Sequence, residues 1–109
     1  MNFDEYQKLA MRTAPSKDKL TLEMLSLHGM ASEVGELHGI YQKTYQGHAM
    51  EKHHAMSEMS DLLWFIAEWC TVNEIDMNDV MAANIEKLKA RYPDGFSEER
   101  SLNRAKGDL

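Results

Sequence analysis

Leu20, Met24, Leu27, Ala31, Val34, His38 and Tyr41 recur at alternating steps of four and three residues. Such steps keep side chains on one side of an α-helix; a strand, which repeats every two residues, cannot produce them. The stretch 19–45 is therefore predicted to form one long helix whose apolar stripe seats in a helical bundle. Gly29, Gly35 and Gly39 interrupt it. Each costs about 1 kcal/mol against Ala in an exposed helix, so three together point to a close helix contact or a local bend.

The rest of the chain is also written in helix-forming residues, with only two prolines and no sustained alternation that would mark a strand. A first helix is predicted over 2–13. Asn2 is its N-cap, Glu5 completes a capping box, and Phe3, Tyr6, Leu9 and Ala10 form its apolar stripe. Pro15 ends it. Gln46-Gly47-His48 signals a turn, and a third helix is expected over 50–72. Asn73 to Ile75 make a short break. Asp76 then caps a fourth helix over 77–91, which Pro93-Asp94-Gly95 stops. The expected architecture is all-α and four-helix bundle-like. Residues 1–95 form the one domain, and 96–109 an extended tail poor in large apolar residues. At 109 residues there is room for a single core, and an all-α domain of this size commonly dimerises to cover leftover apolar surface.

A formal net charge of −6 argues against a nucleic-acid polymer or an anionic membrane surface as partner. It does not argue against a phosphorylated small molecule bridged by a cation. The least charged run, 62–72, contains Glu68 and is too short to span a bilayer. The first eight residues carry no signal-peptide core. The single cysteine, Cys70, lies in an apolar run, where it reads as a small core residue of a protein in a reducing compartment. The expected location is cytoplasmic.

The chemistry is concentrated in two short patterns. Glu33-Val34-Gly35-Glu36 and Glu58-Met59-Ser60-Asp61 are separated by 21 residues, enough for a helix end, a turn and the start of a returning helix. Positions i and i+3 lie about 60° apart on one helix face, so each pair shares a face. The residues three and four places away from either pair include no Lys or Arg. Leu62, Phe65, Trp69 and Val72 project close to Glu58, so its face belongs to the core. Carboxylates crowded on an apolar face need a compensating charge. A divalent cation with oxygen preference, magnesium or manganese, supplies it. A di-iron bundle would want Glu-x-x-His. The positions three after Glu33 and Glu58 are acids, and only Glu51 with His54 has the iron-type spacing. The histidines are expected mostly at the surface, with His38 at the core edge.

Glu33-Val34-Gly35-Glu36-Leu37, then Glu58-Met59-Ser60-Asp61-Leu62-Leu63-Trp64-Phe65, then Asn84-Ile85-Glu86-Lys87-Leu88-Lys89-Ala90-Arg91-Tyr92-Pro93 together resemble the MazG-like, all-α nucleoside triphosphate pyrophosphohydrolases. The likeness covers roughly residues 3–96. It implies magnesium-dependent hydrolysis of a nucleoside triphosphate between the α and β phosphates. It also implies metal ligation by Glu33, Glu36, Glu58 and Asp61, with Glu33 or Glu36 as general base, and a homodimer or homotetramer. Asn84, Lys87 and Arg91 share one face of the fourth helix by spacing. The resemblance makes them substrate-binding: the cations for the β and γ phosphates, Asn84 for sugar or phosphate. Phe65 matches a position that contacts the base in relatives, ahead of Trp64 and Trp69. Lys43 is placed to reach a neighbouring subunit's site. One departure stands out: many members have Glu where this chain has Ser32. That departure motivates an alternative, a non-catalytic nucleotide-binding or regulatory module on the same scaffold. A helical interaction protein with a merely solvated acidic face is the third reading. No Gly-rich phosphate loop followed by Lys-Ser/Thr exists in the chain, so a P-loop mechanism is excluded.

Overall fold

The computed structural model describes residues 1–108. Helix α1 is Phe3–Ala10, prolonged by a 3-10 turn over Met11–Thr13; α2 is Lys19–Tyr45, α3 Lys52–Val72, α4 Met77–Arg91 and α5 Glu98–Leu102. Among the described residues there is no strand.

Local signals explain most helix ends. The Glu5 amide donates to Asn2 Oδ1 at 2.8 Å, and the Thr21 amide to Asp18 Oδ1 at 2.8 Å, so both N-termini lose an orphan donor. Gly47, at φ 101°, turns the chain after α2, and the His48 amide reaches back to the Lys43 carbonyl at 3.0 Å. Asp76 sits at the N-cap of α4 as expected, but its side chain makes no capping bond. Two side chains of α1 do that work instead. The Met77 amide donates to Gln7 Oε1 at 2.9 Å, and the Asn78 amide to Asp4 Oδ1 at 3.2 Å.

Gln7 is the latch between α1 and the junction of α3 and α4. Its Nε2 also donates to Thr71 Oγ1 at 3.0 Å and to the Ile75 carbonyl at 2.9 Å. Trp64 Nε1 ties α3 to the end of α1 through the Ala10 carbonyl and Thr13 Oγ1, at 2.9 and 3.0 Å. Around these bonds Ala10, Ala67, Cys70 and Met77 are buried, with Phe3, Tyr6, Leu63, Trp69 and Ile75 packed against them. Cys70 is the small core residue its surroundings imply.

Helices α2 and α3 form a long antiparallel hairpin. Their contact runs along Leu22, Ser26, Gly29, Glu33, Leu37 and Ile40, which are buried or half-buried. At Gly29 the Phe65 ring lies directly on the backbone, where a Cβ would overlap it. A Cβ at Gly35 or Gly39 would meet nothing. The close-contact reading therefore holds at Gly29 alone, and α2 is unbroken.

The stripe expected to seat inside the bundle faces outward. Leu20, Met24, Leu27, Ala31, Val34, His38 and Tyr41 are all exposed, His38 included, although a core-edge place was expected for it. The reason is that α2 has two apolar faces, and the one carrying Ser26 and Gly29 admits α3 at closer range. Val80, Met81, Ile85 and Leu88 of α4 are exposed as well. The radius of gyration is 17.2 Å, against roughly 13 Å for a compact domain of this length. A single chain thus leaves its bundle open. The segment after α4, expected to be extended, instead turns back: Ser97 Oγ accepts from the Arg100 amide at 3.3 Å to cap α5. No described helix is long and apolar enough to cross a membrane.

Gln7→Ala should lower unfolding stability by about 1–3 kcal/mol, because it strands the Met77 amide and the Ile75 carbonyl. Urea titration measures this, and an unchanged midpoint would remove the latch from the account.

Candidate active site

The register of the hairpin brings carboxylates together. One oxygen from each of Glu33, Glu58 and Asp61 lies within 4.8 Å of the others. Glu33 points into the α2–α3 contact, and its Oε2 is buried without a hydrogen-bond partner. Glu58 is half-buried and Asp61 exposed, so the triad opens to solvent on one side. Glu36 is exposed and outside the triad. It is rotated about 60° from Glu33, which turns it off the contact face, yet its charge still acts on Glu33.

Glu33 is pushed up to about 7. A hydrogen-bonded contact with the Glu58 carboxyl is the main cause, followed by burial and then by the charges of Glu58, Asp61 and Glu36. Carboxyl groups at such range favour retaining a proton when no cation is present. On the solvent side His54 Nε2 lies 3.2 Å from Glu58 Oε1, with the His54 side chain 55% exposed. A donor set of carboxylate oxygens, one buried and unsatisfied, fits a hard divalent cation such as magnesium or manganese.

Two further titratable side chains stand out that the acidic motifs did not include. Glu68, seven residues after Asp61 and so on the same face, is 1% exposed, and neither of its oxygens has a hydrogen-bond partner. Burial pushes its carboxyl up, partly offset by the Ser26 hydroxyl. Its signal was an acid within the apolar run 62–72. Tyr6 of α1 lies close enough to Asp61 that, after burial, the Asp61 charge helps raise its phenol.

The remaining candidates are dispersed. Phe65 is half-buried on Gly29 and meets Trp64 edge to face, with ring centroids 5.2 Å apart. Trp64 is committed to α1 through its indole N–H. Lys43 is exposed near the end of α2. Asn84 and Lys87 are exposed on α4, which packs chiefly on α1, and no hydrogen bond or ion pair joins them to the triad among the described residues. Arg91 makes a two-pronged pair with Asp108, at 2.8 and 2.7 Å. That pair holds the Asp108 carboxyl below its usual range.

Fold and site define an all-helical protein with a carboxylate triad set between two antiparallel helices. The MazG nucleotide pyrophosphohydrolase domain matches residues 22–96, more than half of the chain and all of its acidic motifs. The chain belongs to the MazG family, whose membership points to nucleotide pyrophosphohydrolase activity in general. No curated protein and no solved structure matches it.

The metal-free protein should be most stable in mild acid. Glu33 and Glu68 are both raised in the folded state, so their contribution is full below about pH 4.5, the ordinary value for Glu. The Glu33 share is lost as pH climbs through about 7. Thermal melting in chelator should give a midpoint that falls between pH 5 and pH 8, and Glu33→Gln should flatten the fall. A midpoint that rises over this range contradicts the shared-proton triad.

Proposed function

We propose that this protein hydrolyses a nucleoside triphosphate between its α and β phosphates in a magnesium-dependent reaction, releasing nucleoside monophosphate and pyrophosphate. The observation that carries the reading is the meeting of Glu33, Glu58 and Asp61 in a chain of this family. These three would hold the ion; manganese suits the same donors. When bound, the ion supplies charge neutralisation of the triphosphate and acidification of a water.

The chain's own residues divide the rest of the task. Glu33 would lose its proton to solvent and, with Glu58 and Asp61, hold the ion through carboxylate oxygens. Glu36, exposed and outside the triad, is left to accept a proton from the attacking water. Lys87 and Arg91 bind the β and γ phosphates and Asn84 the sugar or a phosphate. Phe65, one turn beyond Asp61, offers a ring face to the base. In a single chain the cations of α4 and the triad stay apart. We infer that a second copy closes the bundle as a homodimer, or two such pairs as a tetramer. The support is the outward stripe of Leu20, Met24, Leu27, Ala31 and Val34, together with Val80, Met81 and Ile85 of α4. In that assembly Lys43 would serve a neighbour's site. The buried lone thiol suits a reducing, cytoplasmic setting.

Ser32, where many relatives carry Glu, supports the second reading, a nucleotide-binding module without turnover. The two readings part on one assay: pyrophosphate release from a panel of ribo- and deoxynucleoside triphosphates with magnesium. Turnover of at least one member is expected; tight nucleotide binding with no product would favour the module. Glu58→Gln and Asp61→Asn should each stabilise the metal-free protein, weaken its stabilisation by magnesium and lower turnover by about a hundredfold or more. Leu27→Glu should reduce the sedimenting mass to that of one chain, and an unchanged mass would place the assembly interface elsewhere.

A further inference from the structure

The densest positive charge in this acidic protein lies away from the carboxylate triad. A cavity of about 630 Å³ separates the end of α4 from the segment that follows it, lined by Lys87 and Arg91 on one side and by Arg100, Arg104 and Lys106 on the other. Five of the chain's twelve Lys and Arg residues are thus gathered in one concavity. Asp108 is the one acid among the described lining residues.

The backbone is arranged to put it there. Gly95 at φ 89° turns the chain after α4. Ser97 caps α5, and Asn103 Nδ2 closes that helix on the Glu99 carbonyl at 3.0 Å. A last turn, with the Asp108 amide on the Ala105 carbonyl at 3.0 Å and Gly107 at φ 89°, swings Asp108 back onto Arg91. Both side chains are largely covered, at 11% and 15% exposure. Arg104 and Lys87 also act on the Asp108 carboxylate through their charges. None of Lys87, Arg100, Arg104 and Lys106 has an ion-pair partner among the described residues. Among the described residues one carboxylate therefore faces a field that matches a multiply charged anion, and a planar fork of guanidinium donors reads phosphate as well as it reads carboxylate.

We propose that this cavity is a binding site for a diphosphate-type anion, free pyrophosphate or the terminal phosphates of a nucleotide, with Asp108 as its built-in competitor. The incoming anion displaces Asp108 from Arg91 and frees the segment 103–108, so that the C-terminal segment and the phosphates exclude one another on the same guanidinium. Three of the five cations, Arg100, Arg104 and Lys106, lie beyond residues 22–96. The competitor and most of the charge thus lie outside the stretch that matches the family domain. The inference takes from the proposed function only the assignment of Lys87 and Arg91 to phosphate.

Isothermal titration of the full chain with inorganic pyrophosphate in chelator, without divalent metal, tests it. Pyrophosphate should bind at least tenfold tighter than inorganic phosphate. Asp108→Asn, which keeps the side-chain shape, should tighten pyrophosphate about tenfold. Arg100→Gln with Arg104→Gln should weaken it at least fivefold while leaving the melting temperature in place. A metal-free nucleoside triphosphate is the second arm: binding equal to that of pyrophosphate assigns the site to the nucleotide's terminal phosphates, and weaker binding assigns it to the released anion. Equal affinity for phosphate and pyrophosphate, or indifference to Asp108→Asn, overturns the proposal. These readings need no turnover. A chain that hydrolyses nothing yet tightens on pyrophosphate as Asp108→Asn keeps the cavity and loses the enzyme; an active chain indifferent to Asp108 does the reverse.

Discussion

The structure depends on like charges held against one another between α2 and α3. Glu33 is half-buried at a helix contact where its Oε2 finds no donor, and Glu58 and Asp61 approach it from the facing helix. Carboxylates at such range are tolerated in one of two ways, by retaining a proton or by taking up a cation. The two solutions favour different ionic conditions, so one contact links helix packing, acidity and ligand uptake. Glu68, two turns further along the same face, adds a second acid whose neutral form is favoured by burial alone.

Much of this was legible in the chain because helix ends and spacings are local. Asn2 and Pro15 bracket the first helix, Gly47 marks the turn of the hairpin, and the two acidic pairs announce themselves at i and i+3. What was not legible depends on which helix face meets which neighbour. The four-three stripe from Leu20 to Tyr41 identifies a helix and an apolar face, but the opposite face proved the better partner for α3. Glu36 looked equivalent to Glu33 in the sequence. One rotation of about 60° leaves it in solvent once α3 has chosen its side. The latch by Gln7 joins positions about seventy residues apart, beyond the reach of any pattern rule, and Asp76 looked like a cap whose work is done by Asp4 and Gln7.

The two ends of the molecule have unlike characters. The acidic hairpin matches the family domain and holds oxygen donors; the basic cavity gathers cations, most of them contributed by the segment after residue 96. An anion meets repulsion at the first and attraction at the second.

The ring of Phe65 resting on the bare backbone of Gly29 acts as a detent. It fixes how far one rod of the hairpin can travel along the other, since a shift by one residue would drive the ring into a neighbouring Cβ. The carboxylates sit one turn away, so their alignment is inherited from a hydrocarbon contact that carries no charge. A lineage could retune the acids freely while that notch is kept, whereas filling it would misalign them all at once.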